Sequence, residues 1–296
     1  MASVQDLKRR VRSVKNTRKI TKAMELVASA RLRRAQARIE AMRPYAETMR
    51  ELIAGVGRSS SSVRGLPLLQ QREQVQTVAI VPLTGDRGLA GPFNAQILRR
   101  AFALERELRG EGAAVRFVAV GKKGRSTFAF RYYEVAGEFT GFTDRPAYAD
   151  AQAIAHRVAE LFIEGEVDRV ILIYNAYVSP LVQRVTEQDV LPVSADILET
   201  DDEQRRDDAM RGDFIFEPEP EEILERLLPV YVETQVYRAL LESAASEQGA
   251  RMTAMRNASK NAGDLIDTLT LQMNRARQAE ITQEILEVVG GAEALS

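Results

Sequence analysis

Apolar or small residues recur near the end of the chain at Leu241, Ala245, Met252, Met255, Ala262, Ile266, Leu269, Met273 and Ala276. The steps alternate between three and four residues or their sum, and no proline interrupts Leu240 to Leu295. Such spacing lays one stripe of a helix against another helix. A repeat this long exceeds what a compact core buries, so the helix is expected to project from its domain or lie along a partner. The first segment, Val4 to about Val56, carries a matching pattern. Val4, Leu7, Val11 and Val14 keep a heptad seam, and Leu32, Ala35, Ile39 and Met42 return to it. Between them the seam positions hold Arg18, Thr21 and Glu25, while Ile20, Met24 and Val27 place apolar residues on a displaced track. That reads as a stutter. Pro44 falls inside the helical pattern and predicts a kink. At about 1.5 Å per residue this helix would reach roughly 75 Å.

Between the two ends the period changes. Gly55 to Gln76 reads as a Gly/Ser-rich linker. Val78–Val81 then predicts a buried strand, Phe93–Arg109 a helix, Val115–Val120 a strand and Lys122–Phe130 a short helix. A third strand is expected at Tyr132–Glu138 and a helix at Tyr148–Ile163. Val170–Tyr177 and Leu181–Val190 close the series as a hairpin. Alternation of this kind predicts an α/β sheet, parallel in its first half. An acidic connector runs from Asp196 to about Glu222, and Pro229 fits the first turn of the terminal helix. The predicted fold is therefore α/β, with a long antiparallel coiled coil formed by the N- and C-terminal helices and an inserted Rossmann-like domain. Its expected divisions are 1–57 (helix), 58–76 (linker), 77–195 (α/β domain), 196–222 (connector) and 223–296 (helix).

Composition narrows the chemistry. No cysteine is present and His156 is the single histidine, which excludes thiolate catalysis, Cys-ligated zinc, His-based triads and paired-His metal sites. No apolar run is long enough to cross a bilayer, and no secretory h-region follows the early charges. The net charge of −1 hides an asymmetry, since Met1–Arg58 holds 15 basic and 5 acidic residues while Asp196–Glu225 is rich in Asp and Glu. Opposite blocks suggest self-complementarity or two different partners.

Candidate site motifs are few. Gly85-Asp86-Arg87-Gly88-Leu89-Ala90-Gly91 follows the first strand, where a nucleotide loop would sit. It is neither G-x-G-x-x-G nor a P-loop, and Gly121-Lys122-Lys123-Gly124 is equally incomplete. Both read as tight strand-to-helix turns, with Asp86 and Arg87 as a local ion pair or a docking loop. His156 has no carboxylate or serine in sequence reach. Asp201, Asp202, Asp207 and Asp208 lack the spacing of a calcium loop. No catalytic, cofactor-binding or metal site is expected. Near the C-terminus Asn274, Arg275, Arg277, Gln278, Thr282, Gln283 and Glu284 form a dense polar collar. Beyond it Ile285 to Ala292 is apolar and small. An exposed apolar tip predicts enclosure by partner subunits.

Three segments together carry a resemblance over nearly the whole chain. They are Val14-Lys15-Asn16-Thr17-Arg18-Lys19-Ile20-Thr21-Lys22-Ala23-Met24-Glu25-Leu26-Val27-Ala28, the loop Gly85 to Asn94, and Ile281-Thr282-Gln283-Glu284-Ile285-Leu286-Glu287-Val288-Val289-Gly290-Gly291-Ala292. With these the sequence resembles the gamma-subunit family of F-type ATP synthases. It departs from the family pattern at Gly85, Ala90 and Pro92, which are loop changes. Without cysteine it is unlike the thiol-regulated chloroplast form.

The resemblance implies a central rotor shaft that couples proton flow to ATP synthesis or hydrolysis elsewhere, with no catalytic residue of its own. Implied partners are three alpha and three beta subunits, epsilon and a membrane ring of c subunits, with neither nucleic acid nor inserted membrane anchor. The implied location is peripheral, on the cytoplasmic face of a bacterial plasma membrane. Lys22, Met24 and Glu25 would lie near the lever region of beta, and Arg277, Gln278, Thr282 and Glu284 would form a collar touching a beta loop. The alternatives are an α/β nucleotide-binding enzyme with a coiled-coil oligomerisation arm, and a coiled coil whose basic first helix binds nucleic acid.

Overall fold

A computed structural model describes residues 3–57, 65–72, 74–194, 197 and 219–294. In chain order the elements are α1 (Val4–Gly57), a short 3-10 turn (Pro67–Leu69), β1 (Thr77–Pro82), α2 (Phe93–Gly110), β2 (Ala114–Val120) and α3 (Lys122–Phe130). They continue with β3 (Val135–Phe139), α4 (Tyr148–Ile163), β4 (Arg169–Tyr177), β5 (Gln183–Leu191) and α5 (Pro220–Ala294). The chain divides into two compact units, one of residues 1–29 with 251–296 and one of residues 30–250.

The larger unit is the α/β domain. Its sheet has the order β3-β2-β1-β4-β5, with β1 parallel to β2 and β4, β2 parallel to β3, and β5 antiparallel to β4. Central β1 is buried on both faces from Val78 to Pro82, as its run of apolar residues requires, whereas edge strand β5 keeps exposed residues. One face of the sheet packs α4 and the Leu224–Leu240 stretch of α5 together with Met49, Ile53 and Val56 of α1. The other face packs α2 and α3, with Phe117 stacked on Phe128 at 4.5 Å between ring centres.

The smaller unit is a helix pair. Leu7, Val11, Ile266 and Leu269 form its apolar centre, flanked by Val14, Met273 and Ala276. Glu25 meets Arg256, and Arg18 lies against Gly263. Seven residues forward on α1 are thus seven residues back on α5, so the helices run antiparallel.

Three expectations need correction. First, α1 has no stutter. Residues 7, 11, 21, 25, 28, 32, 49, 53 and 56 are buried, and 14, 35, 39, 42 and 46 are partly buried. These positions all fall on one heptad row, whose one exposed member is Arg18. Ile20, at 60% exposure, and Val27, at 53%, lie off that seam, while Thr21 and Glu25 lie on it. Apolar character misled here because the seam tolerates a hydroxyl and a paired carboxylate. Second, α5 begins at Pro220, so Pro229 is inside the helix rather than in its first turn. Pro220 takes the helix-starting role, with Glu221 and Glu222 favourably placed against the helix dipole. Third, Tyr132 adopts a left-handed conformation (φ 59°) just after α3, which delays β3 to Val135.

Smaller differences follow the same logic. The segment read as a linker contains a buried turn, since Leu68 and Leu69 join the core and the Leu68 carbonyl accepts a hydrogen bond from Val193 N–H. α1 continues through Pro44 as a single helix. Asp201, Asp202, Asp207 and Asp208 lie outside the described residues.

Candidate interaction surfaces

In the smaller unit, Glu25 is the best-defined charged site. Its carboxylate accepts a hydrogen bond from Lys22 Nζ at 3.0 Å and one from Arg256 Nε at 3.1 Å. The Lys22 bond, one helical turn away, does most to hold the Glu25 carboxyl below its ordinary pKa; burial opposes this and Arg256 adds to it. Two cations with one carboxylate leave a net positive site, and Lys22 and Arg256 are more than half exposed. Met24 is half-buried beside it. Ile20, Leu26 and Val27 stand exposed on the same helix, an apolar patch that neither helix of the pair covers. Reading the sequence by apolar residues alone missed Arg256. Strict counting by sevens from Val11 reaches Glu25 by way of Arg18, and opposite charge then selects its partner.

Pairing stops near Ala276. By the register that joins Glu25 to Arg256, Val4 falls opposite residue 277, so α1 ends where the collar begins. Every residue from Arg277 to Gly290 is exposed. At 1.5 Å per residue the remaining helix extends about 25 Å past its partner. Within it, Thr282 Oγ1 donates to the Gln278 carbonyl at 2.8 Å, and Gln283 Nε2 donates to Glu287 at 2.9 Å. Arg277 and Glu284 are seven residues apart and share one face; Gln278 and Thr282 share another. Ile281, Ile285, Leu286, Val288 and Val289 are all exposed. A helix with apolar residues on show over this length presents a surface for burial against something else.

In the larger unit, Asp86 binds its own chain. Its carboxylate accepts hydrogen bonds from the backbone N–H of Lys122 (3.0 Å), Gly141 (2.9 Å) and Thr143 (3.1 Å) and from Thr143 Oγ1 (3.0 Å). Burial alone would raise its pKa, but these donors lead by Gly141 more than offset it and leave the carboxyl below its usual range. Asp86 is thus a clamp joining the loops after β1, β2 and β3. It does not pair with Arg87, which instead reaches Asp144 at 3.2 Å and is 67% exposed.

The carboxyl ends of β1 and β4 form the switch point where doubly wound sheets hold ligands. Here the chain itself fills that place. Ser243 Oγ of α5 donates to the Leu83 carbonyl at 3.3 Å, and a Cβ on Gly85 would fall 2.9 Å from the buried Glu247 carboxylate. A carboxylate in this position repels phosphate instead of cradling it. Gly121 has φ 86°, and any side chain there would meet the Thr84 carbonyl at 2.1 Å. Thr84 Oγ1 meanwhile donates to Val120 O and accepts from Gly124 N–H. The two glycine motifs are therefore packing devices. His156 has Glu160 one helical turn on in sequence but meets a distant carboxylate in space: its Nε2 lies 3.0 Å from buried Glu233, which also accepts from Tyr148 Oη at 2.7 Å and Gln152 Nε2 at 3.3 Å. Among the described residues no cluster of metal-ligating side chains occurs.

A filled ligand crevice in the larger unit and a helix pair with an unpaired end in the smaller one define the class: a chain that combines an α/β domain with an antiparallel helix pair. Comparison with known proteins agrees. A family model described as ATP synthase matches residues 3–295. The ATP synthase gamma chain of Rubrobacter xylanophilus is 49% identical over 296 residues, covering 100% of this chain and 99% of its own length. That of Desulforamulus reducens is 46% identical over 295 residues, with both chains covered completely. A chain from the central stalk and c-ring structure of the Tetrahymena thermophila mitochondrial ATP synthase is similar over 81% of this chain and 99% of its own, at 28% identity and a TM-score of 0.59. A chain of the Euglena gracilis mitochondrial enzyme shares the fold over 99% of this chain and 94% of its own, at 20% identity and a TM-score of 0.68. This chain belongs to the ATP synthase gamma-chain family.

Proposed function

We propose that this protein is the central rotor shaft of an F-type ATP synthase. Proton passage through a ring of c subunits turns it, and it turns within a hexamer of three alpha and three beta subunits on which ATP is made or hydrolysed. Epsilon joins it near the membrane ring. The chain contributes no catalytic residue and no cofactor. The observation that carries this reading is the unpaired end of α5, whose exposed apolar side chains follow directly on a polar collar. Among the described residues no helix is long and apolar enough to cross a membrane, which fits a peripheral place in the F1 sector. The full-length match to bacterial relatives supports a position on the cytoplasmic face of a bacterial plasma membrane.

Physically, three identical catalytic sites differ only when something asymmetric touches each one differently. A rotor face shifts a conformational equilibrium by its differential affinity for the states, and in no other way. The positive site at Lys22, Met24 and Glu25 and the collar of Arg277, Gln278, Thr282 and Glu284 are the proposed contact points with beta. Exposed Arg87 remains a docking candidate, with Asp86 holding its loop in place.

Reconstitution with alpha and beta subunits tests the reading. Gln278→Leu and Thr282→Val should reduce ATP turnover by the complex more than they reduce the yield of assembled complex. Equal loss of both would remove the collar from the coupling path. Failure to co-purify with a hexamer at all would overturn the shaft itself.

A further inference from the structure

Within the larger unit, α1, α5 and the loop after β3 enclose a cavity of about 330 Å³. Its walls hold Arg31, Arg34 and Arg38 of α1 and Arg145 of the loop, and Leu241 and Ala244 close its floor. Arg31, Arg34 and Arg38 follow one another by three and four residues and so share a helix face. The one acid in the wall, Asp144, is already neutralised by Arg31 at 2.9 Å and Arg87 at 3.2 Å, and it also accepts from Gln248 Nε2 at 3.4 Å. Arg38 is braced by the Pro146 carbonyl at 3.2 Å. Arg34 and Arg145 form no ion pair among the described residues.

Guanidinium groups gathered around a concavity repel one another, and the apolar core gains nothing from them. Their planar donor forks suit anions that present several oxygens at once. Two of the four are held in place by the loop before any ligand arrives, which lowers the entropic cost of binding. The closed floor and small volume exclude a helix about 10 Å across. We propose that this cavity binds a phosphate-type oxyanion, supplied as free phosphate or as the phosphate tail of a nucleoside diphosphate. The site is separate from the filled switch point of the sheet and does not depend on the rotor reading.

Calorimetric titration of the full-length chain at low ionic strength, with inorganic phosphate and separately with ADP lacking magnesium, is the test. Saturable binding is expected, weakened about tenfold or more in Arg34→Ala/Arg145→Ala, since each lost charge-assisted bond is worth about that factor. Both positions are exposed, and matching circular dichroism melts will show that the variant is folded. Equal affinities for the two probes would assign recognition to the phosphoryl group alone; tighter ADP binding, displaced by phosphate, would add the nucleoside. Either result supports the site. Absence of binding in the unaltered chain, or equal binding by the variant, overturns it. So would tighter binding of a poly-glutamate peptide that phosphate fails to displace, which would give the arginines to a protein partner.

Discussion

Glu25 shows how one residue can be both structural and exposed to regulation by pH. Its folded pKa is lowered from 4.5, so its contribution to stability is present above that value and lost as pH falls through the lower folded one. Thermal melts recorded from pH 7 down to pH 3 should show a loss of helix-pair stability in this window. Glu25→Gln should flatten that dependence, whereas an unchanged acid profile would mean other carboxylates dominate. Gly121 makes a harder demand. With φ 86° and the Thr84 carbonyl 2.1 Å from any Cβ, Gly121→Ala should cost about 3 kcal/mol or more, enough to remove most soluble protein. Wild-type expression and Tm for that variant would contradict the packing described. The glycine was legible in sequence as a turn marker. Thr84, which makes it indispensable, was not, because nothing local links positions 37 residues apart.

Among the elements, α2, α3 and α4 and the core strands could be read from their periodicity within a residue or two. Their patterns are dictated by burial inside one domain. α1 was harder, because its seam carries Thr21 and Glu25 while Ile20 and Val27 face outward. A test of register follows. Ile20→Asp should change the Tm of the isolated chain little, within about 0.5 kcal/mol, because the side chain is already exposed. Ala28→Asp, at a position 1% exposed, should cost about 3 kcal/mol or more as an unpaired buried charge. The reverse order would restore the displaced track. The start of α5 was also misread, since two prolines compete for the first turn and only the Leu224, Leu228, Val232 and Val236 stripe shows that Pro220 wins. Neither site partner, Arg256 for Glu25 nor Glu233 for His156, had a local signal. Tertiary folding brings both from distant parts of the chain.

For the whole molecule, the distinction that matters is between groups used for folding and groups held ready for partners. Ile285, 57% exposed, is proposed for the second set. Ile285→Asp should leave the Tm of the isolated chain unchanged yet lower the yield of complex with alpha and beta subunits. A fall in Tm would instead place this stretch in the chain's own core. The antiparallel helix pair also imposes an order on synthesis. Arg256 is joined to Glu25 across 231 residues, so at roughly 5–20 residues per second the first helix emerges from the ribosome about 10–50 s before its mate exists. Throughout that interval the apolar seam of the basic α1 stands uncovered in a crowded cell. That exposure ends only once the stretch of α5 around Arg256 has been made.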